Sequence, residues 1–227
     1  MSNLILPDWI EERLAQGREF RRMATPMQVR ADEGDDPAEN DCSVEGYATT
    51  FNQLYELWSM DGYTVEEQVD ARAFDDCDMS DVIMQYDHHG RVFARNRNQT
   101  LTDNPDEHGL HVVAVLGGTE LGRQVYEEIK GGYSDRMSFA FTVAEDKREV
   151  FEDHETGNVT VRRTILRINK LYDVSVVSIP ANDATEIFAR GMADGAISWA
   201  AQELRAYEAR CRARKRLKLK LKLMTEE

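Results

Sequence analysis

A strand-like segment in the second half of the chain carries a serine that could act as a nucleophile. In GGYSDRMSFAF (131–141), the large residues Met137 and Phe139 alternate with the small residues Ser138 and Ala140. This alternation predicts a half-buried strand. The small residues beside the hydroxyl have two interpretations. Ser138 is an ordinary serine on a solvated or tightly packed face, or it is a nucleophile with space for a substrate.

Two adjacent histidines, His88 and His89, lie in the strand candidate VIMQYDHH (82–89). Histidine titrates near neutral pH, so it is a natural general base for a hydroxyl nucleophile. Adjacent residues of a strand point to opposite faces, so only one of the pair can serve a given site. His88 would share its face with Met84 and Tyr86, in a partly buried and apolar environment.

An acidic residue suited to orient such a histidine is Asp173, in the apolar segment LYDVSVVSIP. A buried carboxylate needs a hydrogen-bond partner, and an imidazole held by it would keep the useful tautomer. A strand-edge aspartate that faces water is the alternative. The residues permit a serine, a histidine and an acid on neighbouring strands, but their spacing does not decide the matter.

The remaining histidines raise the question of a metal site. His108 and His111, together with Asp87 and the His88–His89 pair, could supply zinc ligands. However, the chain has no His-Glu-x-x-His motif, and His108 lies in an apparent turn. We interpret His108 and His111 as surface histidines beside a strand, and we expect no metal and no cofactor.

Composition indicates a globular protein of a reducing compartment. The 227 residues are 41% hydrophobic and 31% charged, and no run of about 18 apolar residues predicts a membrane span. Cys42, Cys77 and Cys211 are scattered, and they form neither a metal motif nor a disulfide framework. The first residues contain only a short apolar patch, which argues against a signal peptide and for a cytosolic protein.

Charge is distributed unevenly along the chain. Nine of the 28 basic residues but only one of the 42 acidic residues lie between Arg205 and Met224, which leaves a net charge of −22 on the remainder. Such an acidic body would repel nucleic-acid phosphates. The basic tail is either a solvated end or an electrostatic tether for an acidic partner or for nucleic acid.

The pattern along the chain is mainly β. Short alternating segments bounded by turn residues predict strands, and the period-four repeat of Leu121, Val125 and Ile129 before Gly131 predicts one helix. The fold class expected from this pattern is mainly β (α+β), a closed or partly open β barrel surrounded by a few helices. The acidic stretch ADEGDDPAEND (31–41) is expected to be an exposed loop.

The order of several motifs resembles the prohead (capsid maturation) proteases of tailed phages over Phe20 to Ile187. The motifs are VEGYATTFN, then QYDHHGRVFAR, then TLTDNPDEHGLHVVAVL, then LGRQVYEEIKGGYSDRMSFAFTV, then LYDVSVVSIPANDAT. That family is related to the herpesvirus assemblin proteases, which are β barrels surrounded by helices. The pattern along the chain, together with this resemblance, predicts three parts: residues 1–41 (N-terminal helix, strand and acidic loop), 42–190 (protease barrel) and 191–227 (helical, basic tail).

The resemblance also implies catalytic roles. His88 corresponds to the family's histidine, Ser138 to its serine, and Asp173 to the acid of the common Glu-Val-Ser-Leu-Val segment. The family commonly has Asn-His-Asp where this chain has Asp87-His88-His89, so His89 stays a second candidate. In assemblins the third member is another histidine, which leaves the role of Asp173 open. The implied reaction is serine attack on a peptide carbonyl, with backbone amides around the oxyanion.

The biological expectation follows from the same resemblance. Such a protease acts in the host cytoplasm inside the immature capsid, where it cuts the scaffold or the capsid protein's scaffold segment, and itself. The expected partners are the major capsid protein, the scaffold protein and a second copy of the chain, with no membrane. Nucleic acid is expected at most at the basic tail. A catalytically inactive assembly protein with the same fold is the alternative, and a metal-dependent hydrolase is a third.

Overall fold

The computed structural model describes residues 8–30, 42–60, 62–178 and 186–225. The helices and strands, in chain order, are α1 (Asp8–Ala15), β1 (Glu19–Pro26), β2 (Gln28–Val29), β3 (Ser43–Thr50), β4 (Tyr55–Met60), β5 (Tyr63–Val69), β6 (Ile83–Tyr86), β7 (His89–Arg95), a 3₁₀ turn (Asn96–Asn98), β8 (Leu101–Pro105), β9 (Gly109–Val115), α2 (Glu120–Lys130), β10 (Arg136–Glu152), β11 (Val159–Val177) and α3 (Glu186–Thr225). The acidic stretch 31–41, predicted to be a loop, lies outside the described residues.

The fold is mainly β, as predicted, and its strands form two sheets. The first has the order β1-β10-β11-β5-β4, with β6 on β11 and β7 on β6. The second has the order β2-β3-β9-β8. Across the described ranges no closed barrel forms, so the closed or partly open barrel expected from the sequence is not confirmed. Pairing ends at β1, β4 and β7 in the first sheet and at β2 and β8 in the second.

The two sheets pack against each other through one apolar core. Phe139 and Phe141 of β10 contribute to it from the first sheet, and Val44 and Leu110 contribute from the second. Burial of large apolar side chains on both inner faces is the main force that holds such sheets together. The alternation predicted for the serine segment is therefore correct on its apolar side.

The long hairpin of β10 and β11 organises the first sheet. The strands pair antiparallel from Arg136 opposite Val177 to Glu152 opposite Val159. Strand β11 then pairs in parallel with β5 near its start and with β6 near its end. Strand β11 continues without interruption through the apolar segment that contains Asp173.

Helix α2 agrees with its predicted position. Val125 and Ile129 are buried at the core, and the side chain of Thr119 caps the helix by accepting a hydrogen bond from the backbone N–H of Gly122 at 2.9 Å. The helix ends at Lys130 and is followed by Gly131. Periodicity and cap residues were sufficient here because both signals are local.

The basic tail belongs to a long helix. Helix α3 runs from Glu186 to Thr225, and its exposed residues include the basic cluster from Arg210 to Lys218. Trp199 is buried beside the first sheet, where the guanidinium groups of Arg148 and Arg163 lie 5.3 Å from its ring. Among the described helices none is both long and apolar enough to cross a membrane.

A buried ion cluster, formed by Glu19, Arg21, Glu67, Asp146 and Arg163, ties four strands of the first sheet together. Arg21 makes two hydrogen bonds to Glu67, at 2.5 and 2.9 Å, and Glu67 is 0% exposed. Arg163 contacts Glu67 at 3.0 Å, Glu19 at 2.6 Å and Asp146 at 2.5 Å. Since a buried charge is costly without partners, these contacts hold β1, β5, β10 and β11 in one register.

The cluster strongly perturbs the acidity of Glu19. Burial by itself would raise the pKa of this carboxyl group. The charges of Arg21 and Arg163, together with hydrogen bonds from both guanidinium groups, outweigh burial and lower the pKa to about 2. Glu19 is therefore ionised in the folded protein even in quite acidic solution.

Candidate active site

A tight hairpin turn presents His88. Strand β6 ends at Tyr86, which pairs with His89, so Asp87 and His88 are the two turn residues. Their φ angles are 48° and 58°, as a two-residue turn of the primed type requires. The strand predicted for 82–89 is thus wrong at its end, because β6 stops at Tyr86, and His88 does not share a strand face with Met84.

The turn is held from several sides. The backbone N–H of Asp87 donates to Val176 O at 2.8 Å, and the Asp87 carboxylate accepts from the N–H and hydroxyl of Ser178 at 3.0 and 2.8 Å. From helix α1, Arg13 donates to the carbonyl of His88 at 2.5 Å. These contacts compensate for a left-handed backbone that non-glycine residues adopt infrequently.

Ser138 lies in the middle of the first sheet. On strand β10, Ser138 is paired with Arg22 of β1 on one side and with Ser175 of β11 on the other. The side chain is 0% exposed, and its hydroxyl lies on the face opposite to the buried phenylalanines. The sequence predicted this alternation, but it predicted neither the pairing partners nor complete burial.

Asp173 of β11 is also buried, which decides between the two interpretations drawn from the sequence. It pairs with Ala140 of β10 on one side and with Ile83 of β6 on the other, and it is 2% exposed. Ser175 is two residues further along the same strand. Its hydroxyl donates to Oδ1 of Asp173 at 2.7 Å.

Ser138, His88 and Asp173 form one continuous hydrogen-bond chain. Nδ1 of His88 is 2.5 Å from Oδ1 of Asp173, and Nε2 of His88 is 2.7 Å from Oγ of Ser138. An ionised carboxylate can only accept, so Nδ1 carries the proton and Nε2 keeps its lone pair. In that tautomer the imidazole is ready to accept the hydroxyl proton of Ser138.

The hydroxyl of Ser138 has a second acceptor in the backbone of β1. The carbonyl of Arg21 lies 3.0 Å from Oγ. Because a hydroxyl has one proton, it donates either to Arg21 O or to His88 Nε2. The ring of Phe20 lies edge-on against the imidazole, with 4.9 Å between centroids, so β1 covers the hydrogen-bond chain.

The other candidate histidines, His89, His108 and His111, lie apart from the hydrogen-bond chain. His89 begins β7 and is exposed. His111 is on β9 of the second sheet, 3.6 Å from Glu45, and the ring of His108 lies against Tyr47. In the part of the chain that the structure describes, no three His, Cys, Asp or Glu side chains gather as metal ligands. The zinc interpretation therefore gains no support from the geometry.

An open cleft of about 380 Å³ adjoins the hydrogen-bond chain at Asp173. Helix α1 and the segment after it form one wall, and β6, β7 and β11 form the other. The residues that line the cleft are Arg13, Arg18, Asp81, Ile83, Gln85, Val92, Arg95, Lys170, Tyr172 and Asp173. Most of its charged groups are cationic, although the body of the chain is acidic.

A hydroxyl, an imidazole and a carboxylate hydrogen-bonded in this order form the arrangement that serine hydrolases use. The chain belongs to the family of caudovirus prohead serine proteases, because the model of that family matches residues 25–196. The resemblance drawn from the sequence motifs is thereby confirmed. No curated protein and no solved structure matches the chain.

Several residues that contact the hydrogen-bond chain of Ser138, His88 and Asp173 were not predicted from the sequence. Ser175 hydrogen-bonds to Asp173, Arg13 holds the turn, and Phe20 packs on the imidazole. Ser175 had a local signal, because it alternates with Asp173 on one strand and shares its face. Arg13 and Phe20 had none, since they come from the N-terminal segment and meet His88 only through the tertiary fold.

Proposed function

We propose that this protein is an active serine endopeptidase of capsid maturation, in which Ser138 is the nucleophile, His88 the general base and Asp173 the orienting acid. The observation that carries the proposal is the unbroken hydrogen-bond chain from the Ser138 hydroxyl through both imidazole nitrogens to the Asp173 carboxylate. Membership of a family of prohead serine proteases supports the same reaction class.

The reaction begins with proton transfer from Ser138 Oγ to His88 Nε2 while Oγ attacks the carbonyl carbon of a peptide bond. The imidazolium then protonates the leaving amine, and an acyl-enzyme remains on Ser138. Water, deprotonated by His88, hydrolyses this ester and restores the hydroxyl. Asp173 stabilises the imidazolium, and Ser175 holds the carboxylate in position through its hydrogen bond to Oδ1.

Substrate access requires movement, because the described conformation is closed. His88 is 1% exposed and Ser138 is 0% exposed. Phe20 and the carbonyl of Arg21 occupy the side from which a peptide carbonyl would approach Oγ. The proposal therefore includes a local displacement of the Phe20 ring and of the adjoining backbone at Arg21 before acylation. Such gating is common where a site must exclude water until its substrate arrives.

The proposed substrates are the scaffold protein or the scaffold segment of the major capsid protein, and the enzyme's own chain, inside the prohead in the host cell. The exposed basic part of α3 is proposed as a packaging tether or as a segment that self-cleavage removes. The three-part division at 41 and 190, a partly open assemblin-like barrel and the dimer remain predictions. Sedimentation of the purified protein measures the last of these.

Co-expression with the capsid and scaffold proteins tests the proposal. Wild type should process them, and Ser138→Ala should leave them intact while entering the prohead normally. Ser59→Ala is the matched control, because Ser59 is an exposed serine on β4 of the same sheet. Processing by Ser138→Ala at the wild-type rate would reject the proposal.

Two observations favour a second function, that of a catalytically inactive assembly protein. The nucleophile is completely buried, and Asp87-His88-His89 departs from the usual family run. A fluorophosphonate probe separates the two functions, since it labels an activated serine covalently. Labelling of Ser138 in assembled proheads supports the protease, whereas no labelling together with no processing supports the assembly protein.

A further inference from the structure

The cleft beside Asp173 combines cationic groups with a direct connection to the hydrogen-bond chain. Asp173 lines the cleft and is hydrogen-bonded to His88. The cleft is therefore connected to the Ser138 hydroxyl through the imidazole of His88. Arg13, which holds the His88 turn, lies in the opposite wall. A peptide that reaches Ser138 would therefore place a side chain a few positions from its scissile bond in the cleft.

The carboxylates in and around the cleft are already engaged. Asp81 makes two hydrogen bonds to Arg95, at 2.6 and 2.5 Å. Lys170 contacts Asp78 at 2.6 Å, and Asp173 accepts from His88 and Ser175. These pairs account for the charges of Arg95 and Lys170, which leaves the guanidinium group of Arg18 as a source of positive potential in the cleft.

The guanidinium group of Arg18 is placed so that it could bind an anion. Its guanidinium lies 3.7 Å above the ring of Tyr172, a stacked arrangement that leaves its donors in the plane of the group. Its Nε is buried and has no hydrogen-bond partner among the described residues. Buried donors are rarely left unsatisfied, because the lost hydration is costly. A carboxylate binds to such a planar edge in bidentate fashion.

Arg13 adds a second positive charge to the cleft, which favours the binding of an anion there. Burial lowers the pKa of its guanidinium, the charge of Asp173 opposes this shift, and the nearby charge of Arg18 adds to it. Two arginines that repel each other in one cleft would both gain from a carboxylate between them. The remaining wall, with Ile83 and Val92, is apolar and suits the methylene groups of a glutamate or aspartate side chain.

We propose that this cleft is a specificity subsite that binds an acidic side chain of the peptide substrate, with Arg18 as its principal ligand and Arg13 as a second cation. The proposal rests on the proposed protease function. It predicts that cleavage sites carry a glutamate or an aspartate at one set position near the scissile bond.

Digestion of a proteome-derived peptide library tests the subsite, because such a library presents acidic residues at every position around a scissile bond. Mass spectrometry of the products should show Glu or Asp enriched about tenfold at one position, a typical effect of one charge-assisted pair. Arg18→Gln should reduce this enrichment to about twofold or less, and Arg18→Glu should replace it with a preference for Lys or Arg. Arg72→Gln is the matched control, since Arg72 is exposed and is not among the residues that line the cleft.

A binding measurement makes the subsite independent of turnover. In the Ser138→Ala protein, the ¹H–¹⁵N resonance of Arg18 Nε should shift on titration with N-acetylglutamate methylamide at millimolar concentration. It should not shift with the glutamine analogue at matched ionic strength. Library cleavage that depends on Ser138 but shows no acidic preference would overturn the subsite and leave the protease intact. If no cleavage depends on Ser138, the protease proposal fails, and this titration alone decides the subsite, which an unchanged resonance overturns.

Discussion

Two buried polar regions meet on strand β1, and they are built differently. Phe20 packs on His88 of the hydrogen-bond chain, whereas the next residue, Arg21, sends its side chain to Glu67 of the buried ion cluster. The backbone links the two regions, because the carbonyl of Arg21 accepts from Ser138. Successive residues of one strand thus serve the two regions from opposite faces.

The difference lies in how completely the polar groups are satisfied. In the buried ion cluster the two oxygens of Glu67 receive donors from Arg21, Arg163 and Tyr55, and positive charges oppose the negative ones. In the hydrogen-bond chain a single hydroxyl proton has two possible acceptors. The buried ion cluster, whose polar groups are all paired, holds strands in register. The hydrogen-bond chain keeps the hydroxyl proton of Ser138 free to move between two acceptors.

The largest expected effect is the loss of activity on removal of the nucleophile. Ser138→Ala should lower the peptidase rate by roughly 10⁴- to 10⁶-fold, because the triad acts as one unit. For the same reason, the double variant Ser138→Ala with His88→Ala should be no slower than the single variant. The melting temperature should fall only modestly, because one buried hydrogen-bond donor is lost but no ion pair. A much slower double variant would show that His88 acts independently of Ser138.

Asp173→Asn should cost about 10⁴-fold in kcat. The amide would present either a donor or a weaker acceptor to Nδ1 and favour the wrong histidine tautomer. The measurement is the steady-state rate on a mapped cleavage peptide, with circular dichroism to verify folding. A rate within tenfold of wild type would remove Asp173 from the proposed mechanism.

In contrast to the variants of Ser138 and Asp173, Glu67→Gln should affect the stability of the fold rather than the catalytic rate. Removing one charge from the buried ion cluster leaves Arg21 and Arg163 undercompensated, at a cost of about 3–5 kcal/mol in unfolding free energy. Urea denaturation measures this cost. Glu66→Gln is the matched control: its partner Arg162 is 34% exposed, so the surface pair should contribute less than about 1 kcal/mol.

The pH dependence of stability tests the same cluster through Glu19. Its pKa falls from 4.5 to about 2 on folding, so ionised Glu19 contributes on the order of 3 kcal/mol. That contribution is complete above about pH 4.5 and is lost as the pH falls towards 2. Urea denaturation at a series of pH values should show the loss, and Glu19→Gln should flatten the curve there. An equally steep curve in the variant would assign the acid sensitivity to other groups.

The smallest expected effect concerns Ser175. Ser175→Ala removes one of the two hydrogen bonds to Oδ1 of Asp173, so kcat should fall about tenfold while KM and the melting temperature stay close to wild type. Steady-state kinetics on the same peptide measure both constants. A rise in KM at constant kcat would instead place Ser175 in substrate binding.

Local signals in the sequence predicted local structure well. The period-two alternation around Ser138 and the period-four repeat of Val125 and Ile129 lead to β10 and α2. The sequence did not predict the turn at His88. Two-residue turns are usually marked by Asn-Gly or Asp-Gly, whereas Asp87-His88 adopts the same left-handed backbone only because contacts from β11 and α1 hold it.

The sequence by itself therefore determined which segments become strands, which family motifs they carry, and which three residues to consider for the site. The tertiary structure decided that Asp173 is buried rather than solvated, that His88 and not His89 meets Ser138, and that the described strands form two sheets. Those outcomes depend on pairs such as Ser138 with His88, and Glu19 with Arg163, 50 and 144 residues apart. Hydrophobic periodicity acts over a few residues, whereas such pairs form only when strand pairing brings distant segments together.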